Sequence, residues 1–474
     1  MKFFQWISDL INKTVKDPDG IDHIPDSKKN RPALRKTSAT QVAHDQPPQV
    51  RRLEHNKPQS PGEHITIGLD YGTFSTKIMV RKRNSETAEI LAVDMPAEGY
   101  PWFASPSIVR IVDEKIYFGS EARKMKGGKI HRSLKMLLLS KKFSVFAPDS
   151  TDVLRGPFYI TCYLTWLLIQ LKRGIYQKYR NPWIKLNVGA PMKAVENNAI
   201  KEHYLRIVGA AWRASFEWDS FEAEQGMSLA KWRRRIGPLL STNIADASER
   251  RYEVFPETIA PIVSLSRDPR MGPGMYQCVD MGAGTTEISI NRVYGTGADQ
   301  KVVCYFDETI KLGGDNFESI DTNERTDMHN AQISRDKHRD ILKNRFKKVW
   351  HFGHQKDARN HNARQIWKKL NVVLSGGATF RGDVSATIER SNPILNWEPP
   401  GSYYKCARHS PTGIECNLSD YDLTNDDRSL LAVAHGLTFE RMQWPEIIPP
   451  GEVDELDDPN DGIEPPPPYW YLGD

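Results

Sequence analysis

Asp70-Tyr-Gly72-Thr73 ends one apolar run of the chain, and Asp280-Met-Gly282-Ala283-Gly284-Thr285 ends another. In both, an acid, a glycine and a hydroxyl close a strand-like segment and a second apolar run follows at once. Each therefore reads as a β-hairpin with a glycine-rich tip. Glycine lets backbone amides approach an anion, and successive amides in a tight turn form a nest for one. The threonine hydroxyl adds a donor. Phosphate repels a carboxylate, so the acid's natural use beside such a nest is to hold Mg²⁺, directly or through water. Two such tips facing each other would clamp a polyphosphate and its metal between two lobes. A third glycine signal, Ser375-Gly376-Gly377, follows another buried run.

The elements that must position these residues follow in order from Ile65. "ITIGLDYG", "FSTKIMVRK", "EILAVDMP" and "SPSIVRIVDEKIYFG" read as strands, and "YITCYLTWLLIQLKRGIYQKYR" as a buried core helix. "WIKLNVGAP" is a strand ending at Pro191, and a helical stretch starts at Glu196. Residues 215–250 read as an irregular insertion carrying "KWRRRIG", and "VFPETIAPIVSLS" as an apolar helix. After the second hairpin, a polar, basic helical region runs from about Asp321 to Lys369, then the strand "LNVVLS" and a closing helix "DDRSLLAVAHGLTFERM".

The chain has 474 residues, too many for one ordinary core, and its 39% hydrophobic content and mean hydropathy of −0.57 imply polar stretches outside that core. Phe3, Ile7, Leu10 and Ile11 give residues 1–16 an amphipathic helical pattern, suited to a membrane surface or a protein partner. Residues 17–64 read as a disordered linker, 65–265 as the first lobe, 266–442 as the second lobe with its return helix, and 443–474 as an acidic proline-rich tail. A net charge of +5 from 65 basic and 60 acidic residues is too weak for a nucleic-acid footprint. Five scattered cysteines favour a reducing compartment. The expected location is the cytoplasm, with peripheral membrane contact through the first helix.

These motifs resemble the actin, sugar-kinase and heat-shock-chaperone ATPase superfamily, with the nearest likeness to the nucleotide-binding domain of the DnaK-type, seventy-kilodalton heat-shock family. "IGLDYGTFSTK" is similar to that family's first phosphate hairpin, "VDMGAGTTEISI" to its second, and "VVLSGGATF" to its adenosine motif. "HRSLKMLL" is similar to the segment bearing the catalytic lysine, "NVGAP" and "FPETIAPIVSL" to the strand and crossing helix between lobes, and "IKLGGDNFE" to a glycine turn near the phosphates. The resemblance spans Ile65 to Arg441 discontinuously. It implies an α/β fold of two ribonuclease-H-like lobes around a nucleotide cleft, the second reduced because the interval from Gly314 to Gly376 is short.

By the same resemblance ATP or ADP would bind with Mg²⁺, which Asp70 and Asp280 would position through water. Gly72, Thr73, Phe74, Lys77, Gly282, Ala283, Gly284 and Thr285 would surround the phosphates. Lys135 would meet the γ-phosphate and attacking water, and Glu257 a water of the metal shell. Gly313 and Gly314 would lie by the phosphates or ribose, with Gly376, Gly377 and Phe380 against the adenosine. Phe74 stands where the chaperones carry a second threonine, and Phe380 where they carry an arginine. Lys77, seven residues after Asp70, sits at the spacing of actin's phosphate lysine. Glu287 replaces an aspartate of the second hairpin. The primary expectation is a slowly hydrolysing chaperone-like switch without a peptide-binding domain, read out by a partner at residues 1–16 or 215–250. An actin-like filament former and a nucleotide-binding module without hydrolysis are the alternatives.

Overall fold

The computed structural model describes residues 62–94, 96–132, 134–135, 155–192, 196–217, 226–241, 250–266, 272–295, 300–314, 328–357, 370–380, 384, 386–387, 405–408, 410–416 and 421–453. The first half runs β1 (His64–Tyr71), β2 (Ser75–Lys82), β3 (Ala88–Ile90), β4 (Ala104–Pro106), β5 (Val109–Val112), β6 (Lys115–Phe118), α1 (Gly119–Lys124) and β7 (Lys129–His131). It continues through α2 (Arg155–Lys178), β8 (Trp183–Ala190), α3 (Asn198–Glu217), β9 (Met227–Ser228), α4 (Leu229–Leu240), β10 (Tyr252–Pro256) and α5 (Ala260–Leu265). The second half contains β11 (Gly274–Met281), β12 (Thr286–Tyr294), β13 (Lys301–Ile310), α6 (Met328–Asp357), β14 (Asn371–Ser375) and β15 (Lys405–Arg408). The chain closes through β16 (Ile414–Glu415), α7 (Asn425–Leu430), α8 (Ala432–Leu437) and β17 (Glu446–Ile448).

Two sheets repeat one topology. The first has the order β10-β8-β1-β2-β3-β16 and the second β15-β14-β11-β12-β13-β17. The sense of pairing agrees at every step. The hairpin β1/β2 is antiparallel like β11/β12, β1/β8 parallel like β11/β14, β8/β10 parallel like β14/β15, and β3/β16 parallel like β13/β17. This is the ribonuclease-H-like arrangement twice over, so the fold is the two-lobed α/β fold of actin-like ATPases. A separate small sheet, β7-β5-β6-β9, sits on the first lobe.

Each sheet is held by a periodic helix. In the first lobe Ile65, Ile67 and Leu69 alternate onto one face of β1 and share a core with Tyr163, Leu167 and Leu171 of α2. In the second, Leu342, Phe346, Val349 and Trp350 recur at helical spacing on α6 and bury themselves against Val279, Ile288 and Ile290. Gly353 continues that face, where a Cβ would stand 3.0 Å from Ile290.

Between the lobes, α5 and α8 cross at backbone contact. A Cβ on Gly436 would lie 1.9 Å from the Ala260 carbonyl oxygen, and one on Gly68 of β1 would lie 2.1 Å from the Ala434 oxygen. Around this crossing runs a buried polar chain. Arg81 donates from Nε to Thr438 Oγ1 at 2.9 Å, and Asn187 donates to the carbonyls of Leu437 and Phe439. An Arg81 nitrogen 2.9 Å from His435 Nε2 makes that atom an acceptor, so Nδ1 carries the proton and donates to Ser264 Oγ at 2.7 Å.

Several elements differ from the pattern-based expectation. The start of "VFPETIAPIVSLS" is the end of β10, because Tyr252–Pro256 pairs in register with Leu186–Ala190 at the buried edge of the sheet. Residues 215–250 are not irregular throughout. α3 runs to Glu217, and α4 buries Leu229, Trp232, Ile236 and Leu240. "DDRSLLAVAHGL" divides into α7 and α8 at Leu431. The folded second lobe continues beyond Met442: Trp444 is buried, β17 pairs with β13, and Val453 joins the core. The linker's expected end at residue 64 is already in β1, because His64 pairs beside Trp183, and the proposed first helix, residues 17–61, the rest of the tail and the ends of the basic helical region lie outside the described residues. No described helix is long and apolar enough to cross a membrane.

Candidate functional site

The two hairpin tips are built alike. Gly72 N donates to Ser75 O at 3.2 Å and Gly282 N to Thr285 O at 2.9 Å, closing the same four-residue turn at each. At the second tip the other glycine signals converge. Gly314 N donates to Gly282 O at 2.9 Å, and Thr286 Oγ1 donates to Leu312 O. A Cβ on Gly313 would sit 2.2 Å from Ala283 O and 2.5 Å from Gly284 N, so only glycine permits this approach. Gly376 has φ +82°, and a Cβ there would meet Asp280 Oδ1 at 2.4 Å. Gly377 starts the turn Gly377–Phe380 and faces Leu430.

The acids and lysines form one charged cluster drawn from both lobes. The ladder puts Asp70 opposite Lys77, and Lys77 Nζ donates to Asp70 Oδ2 at 2.7 Å. The corresponding ladder puts Asp280 opposite Glu287, two like charges. Such a pair is destabilising unless a cation intervenes. Lys135 donates to Glu257 Oε2, and its charge acts on both Asp280 and Glu287. Burial pushes Asp280 up, and the charge of Asp70 adds to it. Burial also pushes Glu287 well above the usual carboxylate range, with Glu257 and then Asp280 adding to it. Burial works against the charge on Lys77 and on Lys135, yet both are held above their ordinary values: Asp70 outweighs burial at Lys77, and Glu257 and Glu287 do so at Lys135. Asp70 and Asp280 thus act on one another and on the same two lysines.

Burial lifts Glu257 to about 7, with Lys135 opposing and Asp70 adding. A raised folded value means the native state holds a proton that the unfolded chain releases between pH 4.5 and about 7. This contribution to stability is therefore present below pH 4.5 and lost as pH rises through 7. Replacing Glu257 by glutamine removes this residue's part of the slope. The melting temperature of the variant relative to the unmodified chain should rise from pH 5 to pH 7.5, and parallel curves would exclude this titration.

Among the remaining residues, Thr73 is buried at the first tip, and Phe74 is exposed and stacked on Tyr100 with centroids 4.3 Å apart. The Phe74 ring is thus engaged with Tyr100, beneath Arg123, leaving its backbone for the tip. The side chain of Phe380 lies outside the described residues. Two contributors escaped the sequence reading. Gly189 admits Glu257, since a Cβ there would lie 2.6 Å from Glu257 Cγ; the glycine in "NVGAP" was its only signal. Tyr204 on α3 is buried and feels Lys135, Glu257 and Glu287, and nothing in its helix distinguishes it from a core tyrosine.

No three His, Cys, Asp or Glu converge as direct metal ligands among the described residues. The cluster nevertheless fits a hydrated divalent cation. Four carboxyls face two ammonium groups, and Glu257 Oε1, Glu287 Oε2 and Thr73 Oγ1 are buried with no hydrogen-bond partner. Unpaired acceptors of this kind suit the waters of a metal shell.

The fold is thus the two-lobed α/β one, and the acid-lysine cluster lies between its paired hairpins. No protein-family model and no curated protein matches the chain. Among solved structures, one similar chain is titled "MamK double helical filament"; it is 14% identical, with a TM-score of 0.40, over 79% of this chain and 98% of that one. The fold assignment rests on the two strand orders.

Proposed function

We propose that this chain is an actin-like nucleotide switch that binds Mg·ATP between its two hairpins, hydrolyses it slowly and expresses its nucleotide state through self-assembly. The observation that carries the reading is the convergence of Asp70 and Lys77 from one hairpin with Asp280 and Glu287 from the other on Lys135 and Glu257. Bound Mg²⁺ would neutralise phosphate charge as it develops in the transition state. Asp70 and Asp280 would hold the cation through its waters, and the glycine tips would offer amides to the phosphates. Lys77 and Lys135 would meet phosphoryl oxygens. Glu257, with a free Oε1 and a value near 7, is suited to accept a proton from the attacking water.

The Asp70–Lys77 pair favours the actin-type reading over the chaperone-type one, since it fills the first tip with a cation rather than a second hydroxyl. The test is phosphate release from ATP with and without Mg²⁺, beside sedimentation of the same samples. Turnover should require Mg²⁺ and be lost in Asp280→Asn, and ATP should drive the chain into the pellet. Equal turnover in Asp280→Asn would remove the site, and a soluble ATP-bound chain would remove the assembly readout alone.

A further inference from the structure

The second lobe presents a helix face that the nucleotide site does not use. On α6, Lys337, Ile341, Arg345, Lys348, Phe352 and Lys356 recur at steps of four, four, three, four and four residues, which places them along one face. At 1.5 Å per residue this stripe is about 28 Å long. It lies beside the buried row of Leu342, Phe346, Val349 and Trp350. Ile341 and Phe352 are exposed to 38% and 40%, and the side chains of Arg345 and Lys348 to 43% and 41%. Phe352 stacks on Phe306 of β13, with centroids 5.2 Å apart. Asp336 and Asp340 project from another side of the helix, and Asp357 is buried against Arg292. Glu308 reaches the stripe, and its Oε1 accepts from both Arg345 and Lys348. One carboxylate shared by two cations leaves this group with a net positive charge. Single exposed apolar residues are ordinary. Two of them spaced among four cations on one face match the pattern by which a helix captures an acidic, partly apolar segment.

The chain contains such a segment, rooted at the end of this stripe. Lys356 Nζ donates to the carbonyl of Pro450 at 2.7 Å, and Val453 is buried in the core that α6 helps to form. Residues 454–474 then carry seven acids and no lysine or arginine, with Leu456, Ile463 and the triplet Tyr469-Trp470-Tyr471 between and beyond the acids. Extended, the stretch from Asp454 to Glu464 spans about 33 Å at about 3.3 Å per residue, close to the length of the stripe. We propose that residues 454–474 dock along this face of α6 in the same chain, acids on Lys356, Lys348, Arg345 and Lys337, and Leu456 and Ile463 on Phe352 and Ile341. Individual exposed ion pairs contribute little. Tethering at Val453 raises the effective concentration to the millimolar range, so a network of weak contacts suffices. The inference stands apart from the nucleotide reading.

The experiment uses the full chain and a fluorescent peptide of residues 452–474. Neutralising six of the seven acids of the tail (Asp454→Asn, Glu455→Gln, Asp457→Asn, Asp458→Asn, Asp461→Asn and Glu464→Gln) leaves the folded body intact and should free the face. The peptide should then bind at least about tenfold more tightly than to the unmodified chain, whose face is already occupied. Adding Ile341→Glu and Phe352→Glu, both at exposed positions, should abolish that gain. Hydrogen exchange of α6 near these residues should be slower in the unmodified chain than in the neutralised one. Equal peptide binding to both chains, or none to the neutralised chain, would overturn the proposal. So would self-association that the tail acids alone sustain, which assigns the tail to a neighbouring copy. Phosphatidylserine vesicles that capture both chains equally, with capture lost on adding Ile341→Glu and Phe352→Glu, would also overturn it, because the face would then be open.

Discussion

Lys135→Ala should reduce ATP turnover by about a hundredfold or more, the usual cost of removing one group that stabilises transition-state charge. It should also lower the melting temperature. Lys135 is buried between Glu257, to which it donates, and the further charges of Glu287 and Asp70. Removing one partner of a buried ion pair costs about 3–5 kcal/mol, because the other charge remains without a counter-ion. Part of that cost is relieved by protonation, since Glu257 is already lifted to about 7. The two effects separate in a double variant. Lys135→Met with Glu257→Gln removes both charges and should recover most of the lost stability while turnover stays absent. A double variant that regains turnover would show that Lys135 only neutralises Glu257. Recovery of neither property would show that the pair organises the whole cleft.

The second large effect is steric. Gly436→Ala places a Cβ 1.9 Å from the Ala260 oxygen and 2.6 Å from its carbon, both main-chain atoms that have no rotamer to change. Relief requires α5 and α8 to separate, which opens the core shared by Ile262, Val263, Val433 and Leu437 and strains the bond between Ser264 and His435. Overpacking of this kind costs about 1–3 kcal/mol where side chains can move, and more where backbone must. The expected outcome is a loss above about 3 kcal/mol by urea denaturation. Gly377→Ala is the matched control, because the nearest atom is Leu430 Cδ2 at 3.8 Å, an ordinary contact. Similar losses in the two variants would mean that the crossing is not rigid.

Much of this arrangement was legible from residue order. An acid, a glycine and a hydroxyl between two apolar runs gave both hairpins, since glycine and strand periodicity are local signals, and both pairs form as expected. The weaker marks were harder to weigh. Glycine is read locally as a turn residue, yet Gly189, Gly68 and Gly436 are required by what approaches them from elsewhere in the chain. The end of β10, Val254–Pro256, falls within a stretch that reads as an apolar helix, and its strand character comes from pairing beside β8. Glu287 reads as an aspartate lengthened by one methylene, which would displace the catalytic water. Its meaning appears only when it stands across from Asp280 and within reach of Lys135.

Residue types and spacing alone determined that two acid-tipped glycine turns exist and that each is flanked by strands, because those features depend on a few consecutive dihedrals and a period of two. Tertiary structure decided that the two turns address the same lysines, that α5 and α8 touch at their backbones, and that the basic stripe of α6 ends at Lys356 beside Pro450. Those outcomes depend on which distant segments share a sheet or a core, and such long-range packing leaves no period in the chain to read.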